Sequence, residues 1–205
     1  MGYEMYNWKI FSLQEKDEIL QERIRRGFPW HSPPHLQPDS NQFHIRAACY
    51  RHQHIIGFSL NRIEDFSVSL LSLLNENHIF VHSWCVLPNH YHLLLEHADI
   101  RYISNLLGKH HGKISFLWNR EEQKRGRQVW HRCADRYIRN ENHYWATINY
   151  IHHNPVHHGY VKKWQDWPYS SACEFLKREG LVRATDLWNK YPLYEFGKGW
   201  DDPEI

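Results

Sequence analysis

Ten residues, Leu87-Pro88-Asn89-His90-Tyr91-His92-Leu93-Leu94-Leu95-Glu96, restrict the fold of this chain more than any other stretch. Leu93 to Leu95, preceded by Val86 and Leu87, spell a buried strand. Side chains alternate faces along a strand, so His90 and His92 share one face and Tyr91 takes the other. Pro88-Asn89 reads as a turn, which makes Val81 to Leu87 the partner strand of a hairpin. Two imidazoles side by side can hold a divalent cation. They can equally be two polar residues on the solvated face of an antiparallel sheet. With 18 histidines in the chain, such pairs also arise by chance, as His52-Gln53-His54 does. The pair alone leaves both readings open.

The rest of the chain supplies the partners of that hairpin. Phe43 to Tyr50 alternates as a first strand. Ile63, Phe66, Leu70, Leu73 and Leu74 recur at helical spacing, which predicts an amphipathic helix over 61–76. Asp99 is placed to cap a second helix bearing Ile103, Leu106, Leu107, His110 and Ile114. Val129 to Ile138 reads as a fourth strand. Asn140 or Asn142 would cap a helix containing Trp145, Ile148 and Ile151, stopped by Pro155. The order β-α-β-β-α-β then helix predicts an α+β fold. It is the ferredoxin-like, split β-α-β antiparallel sheet, with helices on one face, the other face open, and N- and C-terminal extensions. Residues 1–40, with a charged helix from Lys16 to Arg26 and then a run of prolines, form the N-terminal extension. Residues 41–156 form the main domain, ending in the helix that carries Tyr150, and 157–205 a C-terminal extension in which Ser170-Ser171 caps a helix to about Glu179.

Composition narrows the function. A hydrophobic content of 41% against 23% charged residues supports a packed core and argues against global disorder. The formal net charge is only +2, which excludes a protein that coats duplex DNA nonspecifically. Ten Trp and twelve Tyr suit either base stacking or a ring-rich core. Cys49, Cys85, Cys133 and Cys173 are scattered without a Cys-x-x-Cys pair, which argues against a zinc knuckle and for a reducing compartment. There is no apolar leader or spanning run, so a cytoplasmic protein without membrane attachment is expected.

A second constellation lies in Asn149-Tyr150-Ile151-His152-His153-Asn154-Pro155-Val156. Tyr150 and Asn154 are four apart and share a helical face. The amide oxygen can be a third ligand to a hard cation, and the phenol a nucleophile beside it. Two imidazoles plus an oxygen suit Mg²⁺ or Mn²⁺ better than a structural zinc. The position before proline is biased away from helical angles, which would put Asn154 at a frayed helix end.

In these residues the chain resembles the REP-associated tyrosine transposases, relatives of the single-tyrosine insertion-sequence transposases and of the wider HUH endonucleases. Four stretches carry the resemblance in the family's order: Trp84 to His92; Val129-Trp130-His131-Arg132 with Asp135-Arg136-Tyr137-Ile138-Arg139; Tyr150 to Val156 with Gly159; and Asp166-Trp167-Pro168-Tyr169-Ser170-Ser171. They cover roughly residues 41 to 172. His157-His158 departs from the pattern, where a basic and a small residue are expected.

The resemblance implies a metal-dependent transposase or endonuclease that binds single-stranded DNA hairpins of palindromic repeats, then cleaves and rejoins beside them. The family's metal histidines fall on His90 and His92, its tyrosine nucleophile on Tyr150 and its third ligand on Asn154. Attack by Tyr150 would give a 5′-phosphotyrosine and a free 3′-OH, with Mg²⁺ or Mn²⁺ as cofactor. The expected location is cytoplasmic, at the nucleoid. The alternative is a domesticated protein that holds DNA hairpins without cutting them. An enzyme of RNA or small molecules using the same histidines, or a purely structural protein, are further rivals. Relatives include monomers and dimers that exchange the tyrosine helix, so a homodimer stays open. Candidate DNA contacts are Lys109, Lys113, Trp130, Arg132, Arg136, His152 and His153, each set against an ordinary solvated or core role.

Overall fold

The computed structural model describes residues 41–194 together with 12, 14, 21, 196 and 197. The chain divides into two units, Met1–Gln37 and Pro38–Ile205, and the sheet lies in the second. The helix expected from Lys16 to Arg26 falls, but for Gln21, outside the described residues.

Four strands build the sheet: β1 (Gln42–Ala48), β2 (Phe80–Val86), β3 (His90–Glu96) and β4 (Ala134–Tyr137). Their order is β2-β3-β1-β4, every neighbouring pair antiparallel, as the split β-α-β arrangement requires. Helix α1 (Leu60–Glu76) starts where Ser59 Oγ accepts from Arg62 N at 3.2 Å. Helix α2 (Ile100–Glu121) starts where Asp99 accepts from the amides of Arg101 and Tyr102 at 2.8 and 3.2 Å. Tyr91, Leu93 and Leu95 of β3, with Phe43, Ile45 and Ala47 of β1, pack under Ile63, Phe66, Leu70, Ile103 and Leu107 of those two helices.

The other face is not open. Leu94 of β3, with Cys85 and Leu87 of the β2 arm, packs against Ile148 and Ile151 of helix α3 (Glu141–His157). Phe175 of helix α4 (Ala172–Glu179) and Ala184 of helix α5 (Leu181–Lys190) complete this second core. The cause is legible in hindsight: Leu94 and Cys85 are in phase with the histidines, and apolar residues on that face need a cover. Each fully buried side chain of this size contributes about 1.5–3 kcal/mol, so a bare face would forfeit several such terms.

Two boundaries also differ. The fourth strand is only Ala134–Tyr137, with an isolated bridge from Trp130 to Cys49 upstream. Between the pairs Arg46–Ala134 and Cys49–Trp130 the register slips by one residue, which interrupts the ladder at 131–133. Helix α3 runs through Pro155 to His157. In the last turn a proline removes one hydrogen bond, that to the Ile151 carbonyl, and the helix still closes with His158 N donating to Asn154 O at 3.0 Å. Helix α5 was not anticipated; Gly180 at φ 79° separates it from α4. No helix among the described residues is long and apolar enough to cross a membrane.

Candidate active site

The histidine pair sits on β3, an inner strand bonded on both sides, and is buried under α3 rather than solvated: His90 is 2% and His92 0% exposed. The ring centroids are 5.1 Å apart. Each imidazole is held from behind through Nδ1. His90 Nδ1 lies 2.7 Å from Asn89 Oδ1, and Asn89 is itself fixed by donating Nδ2 to His52 O at 3.2 Å. His92 Nδ1 lies 3.2 Å from His44 Nε2 of β1. In both rings Nε2 is then the nitrogen turned towards α3. Asn154 Oδ1, on that helix, lies 3.0 Å from His90 Nε2. Far from fraying, Asn154 is 1% exposed and inside the helix.

The donor set fits a hard cation. A neutral imidazole carries one N–H, and His90 meets a carboxamide oxygen at each nitrogen. With the proton directed to Asn89, the lone pair of Nε2 faces the oxygen of Asn154, an arrangement that a shared cation reconciles. His90, His92 and Asn154 are therefore competent ligands. Among the described residues no group of three or more His, Cys, Asp or Glu is placed to hold a metal, and the donor beside His90 is this amide.

Tyr150 lies one helical turn before Asn154 on α3. Its ring is 5.2 Å from that of His92 at 81° and 5.9 Å from that of His44 at 73°. It is 6% exposed, because Phe196 packs edge-on at 5.9 Å and Gly197 sits on the ring so closely that a Cβ there would collide with it. Helix α3 is tied down on both flanks. Asn149 Nδ2 donates to Tyr191 O at 2.9 Å, and His152 Nε2 lies between Ser83 Oγ at 3.1 Å and Ser171 Oγ at 2.9 Å. Burial pushes the His152 imidazole down to about 3, so it stays neutral. Ser171, expected as a cap, instead accepts from Trp84 N at 3.0 Å.

The remaining candidates divide. Arg136 of β4 faces the site. Burial, and after it the charge of Arg46, lowers its guanidinium to about 10, while Tyr150 acts in the opposite sense. Arg132 is exposed just before β4. His153 is half-buried with its ring 5.0 Å from Trp188. His152 is buried as a tether between Ser83 and Ser171. Trp130 belongs to the core on the α1/α2 side, stacked on His111 at 4.2 Å and 12°. Lys109 and Lys113 are exposed on α2, so the sheet stands between them and Tyr150. Sequence reasoning missed His44 and Arg46; their signal was the alternation of β1, which puts both on one face. His158, one of the two departures from the family pattern, brings its ring to 4.9 Å from His90.

No family model matches the chain. It is 33% identical over 105 residues to a putative REP-associated tyrosine transposase of Haemophilus influenzae, covering 46% of this chain and 60% of that protein. It is 32% identical over 103 residues to the REP-associated tyrosine transposase of Escherichia coli, covering 44% of this chain and 53% of the other. The match thus spans little more than half the length of these curated relatives. A solved REP-associated tyrosine transposase bound to a REP hairpin superposes with a TM-score of 0.54 at 20% identity, over 69% of this chain and 83% of that one. By sequence over just under half of its length and by fold over most of it, the chain is similar to the REP-associated tyrosine transposases.

Proposed function

We propose that this chain is a metal-dependent tyrosine transposase or endonuclease of the HUH type, acting on hairpin-forming single-stranded DNA. One observation carries the reading: a phenol 5.2 Å from His92, ring to ring, on the same helix as an amide 3.0 Å from His90. His90, His92 and Asn154 would hold Mg²⁺ or Mn²⁺, which when bound supplies Lewis acidity to the scissile phosphate. Tyr150 attacks phosphorus; the Oη–P bond forms and the P–O3′ bond breaks. The phenol loses its proton to solvent and the departing 3′ oxygen gains one, leaving a 5′-phosphotyrosine and a free 3′-OH. Attack on that intermediate by another 3′-OH restores the phosphodiester and the phenol without ATP. Tyr150 lies beside His92 of its own chain in this arrangement.

Incubating a labelled hairpin oligonucleotide with Mn²⁺ tests the reading. Wild type is expected to yield a covalent adduct and a free 3′-OH, while Tyr150→Phe binds and yields neither. Binding without any adduct in wild type would leave the hairpin-holding alternative. One feature favours that alternative, the cover that Phe196 and Gly197 place over Tyr150.

A further inference from the structure

We infer that Arg46 and Arg136 form a guanidinium clamp that binds the phosphodiester attacked by Tyr150. The inference rests on the DNA-cutting reading and adds the residues that would grip its substrate.

Strand register carries the argument. Arg46 lies directly opposite His92 across β1 and β3. Arg136 lies directly opposite His44 across β1 and β4. Residues paired across a sheet share a face, so His92, Arg46, His44 and Arg136 all point towards α3. Arg46 itself faces Ala134, two residues before Arg136. The two arginines are therefore diagonal neighbours, with backbones about 7–8 Å apart. That spacing lets two planar forks close on one tetrahedral phosphate between them, each offering paired N–H donors.

The position is equally specific. The His44 ring bridges the rings of Tyr150, at 5.9 Å, and His92, at 5.3 Å. The clamp thus flanks the phenol on the side away from Asn154. Both arginines are half-buried, unlike the exposed Arg132 and Arg139 that flank β4. Arg136 interacts electrostatically with both Arg46 and Tyr150. In-line attack by the phenol adds negative charge to the phosphoryl oxygens, where preorganised donors act most strongly.

The test uses the full-length chain and the substitutions Arg46→Gln, Arg136→Gln, Arg46→Lys and Arg136→Lys. Under single turnover with saturating hairpin DNA and Mn²⁺, each Gln variant is expected to form the Tyr150 adduct about 100-fold more slowly. Its hairpin affinity is expected to fall by about tenfold at most, which saturating DNA offsets, and the Lys variants should recover only part of the rate. Adduct formation at the wild-type rate, or a rate deficit that disappears as the hairpin concentration is raised, overturns the clamp. Should Arg136→Gln fail to fold, Arg46→Gln and Arg136→Lys carry the comparison.

A binding arm works whether or not the protein cuts. In a Tyr150→Phe background, methylphosphonate is placed at each linkage beside the hairpin in turn. One neutral linkage is expected to weaken binding about tenfold, and to do so only while Arg46 and Arg136 are present. If that dependence appears but wild type forms no adduct, the cutting proposal fails and the clamp stands. If no linkage discriminates, the clamp is wrong even in a protein that cuts.

Discussion

His44 Nε2 lies 3.2 Å from His92 Nδ1, across the β1–β3 ladder and beneath the ring of Tyr150. This contact fixes which nitrogen of His92 faces α3, the role that outer hydrogen-bond partners play for metal-ligating histidines. His44→Phe keeps a ring of similar size and removes the contact. Its Mn²⁺ affinity, read by titration calorimetry or by the Mn²⁺ midpoint for adduct formation, is expected to fall about 10–100-fold. EDTA should abolish adduct formation by wild type. An unchanged Mn²⁺ midpoint in His44→Phe would refute the positioning role.

His152 is predicted to act on stability and not on DNA. Its Nε2 joins Ser83 on β2 to Ser171 at the start of α4, clamping the helix that carries Tyr150 to the sheet edge. His152→Phe is expected to cost about 1–3 kcal/mol, since Ser83 is left buried without this partner. Hairpin affinity should not change. The pH dependence has a sign. Burial holds the imidazole at about 3 against an ordinary value of 6.5. The unfolded chain therefore binds a proton first, so the contribution is full above about pH 6.5 and shrinks as pH falls towards 3. Melting curves of His152→Phe should show a shallower acid slope than wild type over that window.

Much of this arrangement was legible because it is local. His90 and His92 are two apart on a strand, Tyr150 and Asn154 four apart on a helix, and each spacing dictates a shared face. His44 and Arg46 are also two apart, but nothing local says that β1 lies beside β3, so their meeting with His92 depends on sheet order. The cover over the histidine face was likewise non-local. Leu94 and Cys85 signalled an apolar partner, and only the packing of α3 shows which element supplies it. The place of Lys109 and Lys113 was hidden for the same reason: spacing gives a helix face, but not the side of the sheet that the helix covers.

Glu122 is predicted to anchor the far end of α2. Its carboxylate takes Arg127 at 2.7 Å and Arg62 at 2.6 Å, with its side chain 5% exposed. The Arg127 hydrogen bonds foremost, with those of Arg62 and Lys124, outweigh the burial that opposes them and hold it at about 2, against an ordinary 4.5. That depression corresponds to about 3 kcal/mol, present above pH 4.5 and lost as pH falls towards 2. Glu122→Gln should lower Tm at pH 7 and flatten the acid limb below pH 4.5. A variant that melts with the wild-type pH profile would show that the arginines are held by other means.

Gly197 is predicted to control access to Tyr150. Its backbone adopts φ 83°, a region that favours glycine, and its Cα rests on the phenol ring. Gly197→Val introduces both backbone strain and a collision with the ring, so either the segment lifts or the ring moves. Lifting also removes Phe196 from its edge-on contact with Tyr150 and with His143, at 5.9 and 5.7 Å. The variant is expected to form the Tyr150 adduct faster than wild type at equal hairpin affinity, because the phenol no longer waits for its cover to open. Tyrosine nitration at position 150, followed by mass spectrometry, gives a readout independent of cutting and should rise in parallel. Unchanged nitration together with a lowered Tm would mean that the ring, and not the segment, had yielded, and the gating role would fall.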